Sequence, residues 1–368
     1  MESEAQIEDA RYLQEQIITY LGNKRHLLSF IGEGIRMVQQ RLGRSKLCCV
    51  DAFSGSGIVS RYLKQFSECL YTNDLEDYAR VLNTCYLANS ETVHAARLPE
   101  RFAALTERLP QELAPGLLAA HYAPQDDAHI RPGERVFYTR RNAVYLDSAR
   151  RLIGEQPEEV QPFFLAPLLY AASVHTNTSG VFKGFYKNAE GVGQFGGRAR
   201  NALQRICADI ELQLPVFSRF DCEHHVLQGD AAKLPAVLPE LDIAYVDPPY
   251  NQHPYGSNYF MLNLLLRNEL PADCSPVSGI PTDWNRSAYN RRREAAESLR
   301  RLLAELPTRF ILVSYNSEGF INPQEMKRLL TPLGRVKEMV TDYATFRGCR
   351  NLRSRALKVQ EYLYLLEK

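Results

Sequence analysis

The feature that most constrains the fold is a repeated unit: a short apolar run, a polar or glycine-rich turn, and then an amphipathic segment. The runs are KLCCVDAF (46–53), CLYTND (69–74), HHVLQGDAAKLP (224–235), LDIAYVDPPY (241–250) and RFILVSYNSEG (309–319). Runs this short and apolar are typical of parallel strands that are covered on both faces. Together they predict an α/β sheet with ligand sites at the carboxyl ends of its strands.

The segments at the two ends of the chain extend this prediction. Helical periodicity predicts helices over about 7–20 and over 27–42, the second ended by Gly43. Near the C-terminus, VKEMVTDY (336–343) and KVQEYLYLLE (358–367) read as a pair of strands. The last of them alternates in polarity, and we expect it to join the sheet in antiparallel orientation.

The strand and helix rhythm stops between residues 91 and 205. This stretch is first helical and interrupted by prolines, and from 175 to 201 it is rich in glycine and aromatic residues. It is typical of an insertion between two halves of one sheet. We therefore predict an N-terminal core part (1–90), an inserted region (91–205) and a C-terminal core part (206–368).

Composition bounds the function classes. The chain has 368 residues, of which 45% are hydrophobic and 24% charged, as in globular proteins. Lys and Arg total 44 against 43 for Asp and Glu, so attraction to nucleic acid must come from clustered charge. One cluster spans 286–301, and a second lies in the C-terminal tail with Lys337, Arg347, Arg350, Arg353, Arg355 and Lys358.

Targeting and metal signals are weak. The first 22 residues are acidic and amphipathic, and no apolar run approaches the ~20 residues of a membrane span. We expect a soluble intracellular protein with no membrane partner. The eight cysteines are scattered without CxxC spacing, so neither a metal site nor a disulfide framework is predicted.

The turn after the first predicted strand is suited to a cofactor. In VDAFSGSG the strand ends at Asp51, and Gly55 and Gly57 allow a ligand to approach the backbone closely. A dinucleotide site would prefer a third glycine where this chain has Ser60, so NAD is disfavoured. A strand-to-helix turn without a ligand is the alternative at this point.

Two further acids follow predicted strands. Asp74 is placed to accept hydrogen bonds from ribose hydroxyls, and Asp230 ends the next strand unit. With Asp51 they suit a cofactor that carries a ribose, an adenine amine and a positive charge. Taken singly, each acid is more often a helix cap or a turn residue.

The most specific stretch is DPPY, formed by Asp247, Pro248, Pro249 and Tyr250. The prolines fix two φ angles and remove two backbone donors, so the carbonyl oxygens of the turn are held rigidly. Asp247 adds a carboxylate acceptor and Tyr250 an aromatic face. This combination indicates a receptor for the exocyclic amine of a planar base, with the tyrosine stacked on the ring. A strand followed by a structural proline turn is the competing interpretation.

YLGNKRHLL (20–28), VDAFSGSG, TND, LQGDA and DIAYVDPPY, in this order, closely resemble the motifs of the Dam-like S-adenosylmethionine-dependent DNA adenine-N6 methyltransferases. The resemblance covers most of the chain. It implies a Rossmann-like seven-stranded methyltransferase core with an inserted, mainly helical target-recognition domain. It also implies direct transfer, in which the adenine N6 lone pair displaces S-adenosylhomocysteine from the methyl group.

The resemblance assigns roles to the matching residues. Those implied to bind the cofactor are Tyr20, Asn23, Lys24, Asp51, Phe53, Gly55, Gly57, Asp74, Asp230 and Ala231. Asp247, Pro248, Pro249 and Tyr250 would hold the flipped adenine. The implied DNA contacts are Lys183, Tyr186, Lys187, Asn188 and Arg198 of a hairpin in the insertion, and we add Arg291 and Arg292 of the basic cluster.

Other readings remain open at this point. An RNA adenine-N6 or a DNA cytosine-N4 methyltransferase needs the same acceptor turn, and a non-catalytic nucleic-acid-binding subunit would show a decayed motif. The stretches NQHPYGSNYF (251–260) and SYNSEG (314–319) look more like modification enzymes that partner restriction endonucleases. We therefore expect a monomer that modifies double-stranded DNA in the cytoplasm of a prokaryotic cell. The long helical stretch 91–162 differs from the short Dam-type region, so no recognition sequence is predicted.

Overall fold

The computed structural model describes residues 7–197, 200, 202–344 and 358–368, and these residues form one seven-stranded sheet. The strands are β1 (Leu47–Asp51), β2 (Ser67–Asp74), β3 (Glu223–Gln228), β4 (Leu241–Val246), β5 (Thr308–Asn316), β6 (Arg335–Ala344) and β7 (Lys358–Glu367). Their order is β3-β2-β1-β4-β5-β7-β6. Strands β1 to β5 pair in parallel, whereas β7 lies antiparallel between β5 and β6. The predicted fold class is confirmed.

Helices flank the sheet on both faces. They are α1 (Ala10–Gln14), α2 (Leu28–Leu42), α3 (Ile58–Lys64), α4 (Asp77–Tyr86), α5 (Ser90–Ala95), α6 (Leu98–Arg108), α7 (Leu117–His121), α8 (Arg140–Gly154), α9 (Gln161–Val174), α10 (Leu203–Cys207), α11 (Tyr255–Asn258), α12 (Phe260–Arg267), α13 (Ala295–Glu305) and α14 (Pro323–Leu330). Helix α2 matches its prediction, and Gly43 ends it with a φ of 65°. Within the described ranges, none of these helices has both the length and the apolar character needed to cross a membrane.

The prediction of a helix over 7–20 is wrong for most of this range. Helix α1 is short, and Gln16 has a φ of 53°, which ends helical geometry. The buried guanidinium of Arg61 donates hydrogen bonds to the carbonyl oxygens of Tyr12, Glu15 and Gln16. A continuing helix would need these oxygens for its own backbone bonds. The chain after α1 is therefore irregular and runs toward the carboxyl ends of the strands.

Two apolar layers hold the sheet in place. Ile35 of α2 and Leu63 of α3 belong to the hydrophobic cluster on one face, and Leu299 of α13 and Met326 of α14 to the cluster on the other. Each of the four side chains is at most 2% exposed. Burying a side chain of this kind contributes about 1.5–3 kcal/mol relative to leaving it in water. The positions of the strand ends are thus fixed by packing on both faces.

The inserted region packs on the core through apolar contacts. Leu146 of α8 and Phe164 of α9 share one hydrophobic cluster with Leu82 of α4 and Leu262 of α12. All four side chains are at most 1% exposed. The inserted helices therefore rest on the core's own helices. The segment bounds 1–90, 91–205 and 206–368 remain predictions.

Four acids come together at one edge of the sheet. Strand β1 ends at Asp51 and β2 at Asp74, while Asp230 and Asp247 follow β3 and β4 within two residues. These strands are neighbours in the order β3-β2-β1-β4. Because parallel strands present their carboxyl ends at the same edge, the four acids lie side by side.

Candidate active site

A cavity opens where β1 to β4 end. Nine of the ten predicted cofactor residues line it: Tyr20, Asn23, Lys24, Asp51, Phe53, Gly55, Asp74, Asp230 and Ala231. Asp247 and Pro249 line the same cavity. The structure therefore brings the predicted cofactor residues and part of the DPPY turn to one place.

Asp51 is a buried acid with an unused oxygen. Its side chain is 0% exposed, and its Oδ2 accepts a hydrogen bond of 2.6 Å from the Ser60 hydroxyl. Its Oδ1 has no hydrogen-bond partner among the described residues. Burial raises the pKa of Asp51 to about 7, although the Ser60 hydrogen bond lowers it. An acid in this state favours a cationic hydrogen-bond donor.

The glycine turn is held by Asp74. Its Oδ2 accepts from the backbone N of Gly55 at 2.8 Å, and its Oδ1 accepts from the backbone N of Glu76 at 3.0 Å. Gly55 has a φ of 50°, and a Cβ there would approach the Tyr20 ring to 2.8 Å. Glycine is required here by the backbone and by the close contact. Gly57 does not line the cavity, and it precedes α3 with a φ of 77°.

Asp230 also lines the cavity. Its Oδ1 accepts from the backbone N of Ala232 at 3.0 Å, so this oxygen caps the 3-10 turn over Ala231–Ala236. The Phe53 ring meets the Tyr289 ring edge to face, with 5.0 Å between the centroids. Burial and, after it, the Asp230 charge raise the pKa of Tyr289, so this aromatic pair lies near Asp230 and a planar group is a suitable ligand beside it.

A segment that was not predicted to belong to the site also lines the cavity. Asn285, Ser287, Tyr289 and Asn290 all line it. The Tyr289 hydroxyl is buried without a hydrogen-bond partner among the described residues. Residues from 286 onward lie in the basic run that was predicted to bind DNA. The available signal was the mixture of amide, hydroxyl and aromatic side chains in NRSAYN (285–290), which precedes the arginines.

Asp247 is paired with a buried lysine. The Nζ of Lys24 lies 3.2 Å from Asp247 Oδ2, and the two side chains are 4% and 16% exposed. Asp247 Oδ1 has no hydrogen-bond partner within the described part of the chain. Burial raises the pKa of Asp247 to about 6, and the Lys24 ammonium opposes this rise. One oxygen of the acid is therefore held by the protein, and the other remains for a ligand.

The rest of the DPPY turn surrounds this acid. Pro248 is buried and Tyr250 is half-buried, and neither lines the cavity. The backbone carbonyl of Tyr250 accepts from the backbone N of Phe320 at 3.0 Å. The Lys24 Nζ lies 5.8 Å from the centroid of the Tyr250 ring. The turn is thus anchored from both sides.

Two tyrosines after the turn hold the segment that carries Lys24. The Tyr255 hydroxyl donates to the Leu21 carbonyl oxygen at 3.1 Å, and the Leu21 backbone N donates to the Tyr259 hydroxyl at 2.6 Å. Both rings stack on Tyr20, with centroid distances of 4.9 and 4.7 Å. The N-terminal segment and the DPPY region therefore form one packed unit.

Comparison with protein families identifies the family of the chain that carries this site. Residues 20–273 match the family MethyltransfD12, described as D12 class N6 adenine-specific DNA methyltransferase. The match includes the glycine turn, the strand-end acids and the DPPY turn. The chain belongs to this family. It is a site-specific, S-adenosylmethionine-dependent enzyme that methylates the N6 amine of adenine in DNA.

The relatives of this methyltransferase agree with the assignment. Type II methyltransferase M.NlaIII from Neisseria lactamica is 29% identical over 362 residues, which are 95% of this chain and 99% of the relative. Type II methyltransferase M.CviAII from Paramecium bursaria Chlorella virus 1 is 28% identical over 95% of this chain and 98% of its own. Modification methylase StsI from Streptococcus sanguinis is 27% identical over 84% of this chain and 46% of its own. The enzyme is thus of the restriction-modification type, and the RNA and cytosine-N4 alternatives are set aside.

The predicted recognition hairpin of the methyltransferase is a short turn. Lys187 and Gly193 form an antiparallel bridge. Between them the Oδ1 of Asn188, an exposed residue, accepts from the backbone N of Glu190 at 3.1 Å and of Val192 at 2.9 Å. This oxygen stabilises the turn, so base contacts by Asn188 would have to use its NH₂ group.

Aromatic residues anchor the hairpin in the core. Phe182 and Phe185 are 1% and 7% exposed and belong to the cluster shared with α8 and α9. The Lys187 ammonium lies 5.0 Å from the centroid of the Phe185 ring. Tyr186 is half-buried. Among these residues the lysine and the tyrosine are the ones that lie toward solvent.

The hairpin and the basic run meet at the stretch after DPPY. Lys183 Nζ lies 3.3 Å from His253 Nδ1. The Asn290 side-chain amide donates to the Asn251 carbonyl oxygen at 2.8 Å. The two predicted DNA elements therefore contact the same stretch, residues 251–253. Outside the described residues lie Arg198 and the tail residues Arg347, Arg350, Arg353 and Arg355.

Three of the six arginines in the basic run have glutamate partners. Arg291 pairs with Glu294 at 3.1 Å, and Arg300 and Arg301 form similar pairs within α13. The arginines at 292–293 are exposed. Exposed ion pairs contribute about 0–1 kcal/mol, so a phosphate can replace the glutamate at small cost.

Two groups of side chains with metal-ligand chemistry lie elsewhere on the sheet. They are Cys69 with Glu223 and His225, and Cys48 with Glu68 and Asp242. Neither group shares a residue with the cavity.

Proposed function

We propose that the cavity binds S-adenosylmethionine on its strand-end acids and that Asp247 holds the N6 amine of an adenine flipped out of duplex DNA. The observation that carries this proposal is one continuous cavity lined by Asp74, Asp51 and Asp247. Asp51 and Asp247 each keep a buried oxygen with no hydrogen-bond partner among the described residues. Since buried polar atoms are nearly always bonded, these oxygens favour donors supplied by ligands.

The donor set suits this cofactor. S-adenosylmethionine supplies an activated methyl group when it is bound. We assign the free oxygen of Asp51 to its ammonium, Asp74 to its ribose hydroxyls and Asp230 to its adenine amine. Gly55 allows the Tyr20 ring to pack against the glycine turn, and Tyr289 contributes a buried hydroxyl.

The DPPY turn suits the target amine. Asp247 Oδ1 and a rigid carbonyl oxygen of the turn accept the two N–H groups, because the two prolines remove the competing backbone donors. We assign Tyr250 to stacking on the flipped base. Asp247 then orients the amine and stabilises the positive charge that develops on N6 as it gains the methyl group, before N6 loses a proton.

The DNA side of the site is formed by the inserted region and the basic run. We propose that Tyr186 occupies the space in the base stack that the flipped adenine leaves, and that Lys187 and Asn188 contact base edges. Both elements contact the stretch after DPPY, which supports a DNA path across the mouth of the cavity. The phosphate contacts that we propose are Lys183, Arg198, Arg291 and Arg292.

We infer a protective role next to a restriction endonuclease that cuts the same site. The support is the similarity to a modification methylase and to type II methyltransferases, which covers up to 95% of this chain. We further propose that the enzyme acts as a monomer in the cytoplasm of a prokaryotic cell, where it meets duplex DNA.

Sequencing of genomic DNA tests the proposal. The wild-type chain and Asp247→Asn would each be expressed in a methylation-deficient host, and single-molecule sequencing would read modified bases. We expect N6-methyladenine in one short motif with the wild-type chain and unmodified DNA with the variant. Modified cytosine, or equal adenine methylation by the variant, contradicts the proposed roles.

A further inference from the structure

Glu361, in the middle of β7, is a buried acid that reaches the active site from the other end of the chain. It lies outside the family match and is 3% exposed. Its neighbour on β5 is Asn316, whose side-chain amide donates to Glu361 Oε1 at 2.7 Å. The other oxygen, Oε2, has no hydrogen-bond partner among the described residues. A buried carboxylate in this state is costly unless a nearby cation compensates it.

That cation is Lys24. Its Nζ lies 4.0 Å from Glu361 Oε2 and 3.2 Å from Asp247 Oδ2. Burial lowers the pKa of Lys24, but Asp247 and Glu361 outweigh burial, and the pKa is raised well above its ordinary value. Lys24 therefore remains an ammonium between two carboxylates.

The count of charges decides what this arrangement can do. Asp247 and Lys24 alone form a neutral pair, and a neutral pair gives little stabilisation to an amine that becomes positive. With Glu361 the three groups carry a net charge of −1. Charges in a buried site are close together and weakly screened. The extra negative charge therefore stabilises a transition state that gains positive charge on N6.

We propose that Glu361 is a positioning residue for methyl transfer: it shares the Lys24 ammonium with Asp247 and so leaves net negative charge at Asp247, the acceptor for the adenine amine. The proposal rests on the role of Asp247 given under Proposed function. Glu361 does not line the cavity. It therefore acts through Lys24, and its effect should appear in the rate and not in cofactor binding.

The pH dependence of the rate separates this role from a structural one. Burial raises the pKa of Asp247, the Lys24 ammonium lowers it, and the Glu361 charge raises it further. The other titratable groups that face this acid are Asp51, Tyr245 and Tyr255. Removing the Glu361 charge should therefore move the acid limb of kcat to lower pH. Loss of packing alone would lower kcat and leave the limb in place.

The test uses Glu361→Gln, which keeps an acceptor for Asn316 and removes the charge. At saturating cofactor we expect kcat on duplex DNA to fall by about 10–100-fold, as for a small misplacement of a reacting group. The acid limb of kcat should move to lower pH, and cofactor affinity should stay within about threefold of the wild-type value. The matched control is Glu367→Gln on the same strand, since Glu367 pairs at the surface with Arg41 and Arg309 and should leave kcat unchanged.

Two further variants complete the test. Glu361→Asp keeps the charge, so its acid limb should stay in the wild-type position and its kcat should exceed that of the Gln variant. If Glu361→Gln does not fold, Glu361→Asp tests the proposal by itself. An acid limb of kcat that is displaced from the wild-type position in Glu361→Asp would overturn the proposal. In a Lys24→Met background, Glu361→Gln should cause no further loss of kcat.

The outcomes distinguish this inference from the function it rests on. Normal kcat in Glu361→Gln, a loss without a shift of the limb, or an equal loss in the Lys24→Met background overturns the role of Glu361. If Asp247→Asn is inactive at the same time, the proposed function stands. Near-normal turnover by Asp247→Asn removes the proposed function itself, whatever Glu361 does.

Discussion

The cofactor end and the DNA end of the site are built in different ways. At the cofactor end, Asp51 is fully buried, Asp74 accepts from Gly55 of the glycine turn and from Glu76, and packing fixes the strands that carry the two acids. At the DNA end, Arg291 and Asn188 are exposed and interact with residues of their own segment. Cofactor binding should therefore depend on single side chains. DNA binding should be spread over many contacts that replace weak internal ones.

The largest effect is expected at Asp247, where the two ends meet. Asp247→Asn keeps the size of the side chain and removes the charge next to Lys24. We expect kcat to fall by about 100-fold or more, as when a preorganised polar group is lost from a transition state. Cofactor affinity should stay within a few-fold, because the strand-end acids are intact. Single-turnover methylation of duplex DNA and calorimetry measure the two quantities.

The control for this variant is a change of similar chemistry outside the cavity. Asp242→Asn neutralises an acid on the same strand, β4, whose partners are the Arg44 side chain and the Cys48 backbone N, and an asparagine keeps an acceptor for the latter. It should leave kcat near the wild-type value. Equal losses in the two variants would mean that the strand, and not the acceptor, controls the rate.

The next largest effect is expected at Asp51. Losing a charged hydrogen-bond partner should weaken cofactor binding by about 1.5–3 kcal/mol in Asp51→Asn. The pKa of Asp51 is raised to about 7, so the wild-type acid is ionised above this pH and protonated below it. The difference between wild type and variant should therefore be large at high pH and should shrink as the pH falls through about 7. Calorimetric titrations across this range test the trend.

The stability of the ligand-free protein should change with pH in the direction opposite to that of cofactor binding. Because the folded protein raises the pKa of Asp51 above the unfolded value, this group contributes stability at low pH that is lost as the pH rises through about 7. The cofactor binds the ionised form, so its stabilising effect should grow over the same range. A gap between wild type and Asp51→Asn that is independent of pH would contradict the assignment.

The cofactor end could be predicted because its signals are local. The apolar run before Asp51, the glycines after it and the acid of TND each define a strand end, and parallel pairing then brings the ends together. The same reasoning found Asp247. The sheet order adds the information that β1 and β4 are neighbours, which no local pattern contains.

The residues that were missed depend on contacts distant in sequence. Glu361 meets Lys24 only because β7 inserts between β5 and β6. Tyr289 reaches the cavity only because its segment folds back on the strand ends. Helix α1 does not continue because Arg61 binds the carbonyl oxygens of Tyr12, Glu15 and Gln16. Each case is a tertiary contact that overrides or adds to a local preference.

A smaller effect is expected in the recognition hairpin. Asn188→Asp keeps the oxygen that stabilises the turn and removes the NH₂ donors, whereas Asn188→Ala removes both. If Asn188 reads a base, Asn188→Asp should already reduce discrimination between the cognate site and single-base variants by about 1–3 kcal/mol. Methylation of a randomised duplex library measures the relative preferences. Discrimination that is lost in Asn188→Ala and unchanged in Asn188→Asp would limit this residue to holding the turn.

The smallest effect is expected from the exposed arginines at 292–293. Replacing Arg292 and Arg293 by Ala should weaken binding to all sequences alike and flatten the log-log salt dependence by up to ~0.9 per lost phosphate contact. Arg300 and Arg301 provide the matched control, since they lie in the same run but pair with Glu297 and Glu305. Their double Ala variant should change the slope less, because these glutamates compete with phosphate. Binding titrations of both variants over a range of salt concentrations compare the slopes. If the slopes of the two variants fall equally, internal pairing does not decide which arginines meet DNA, and the contrast between the two ends of the site fails at this point.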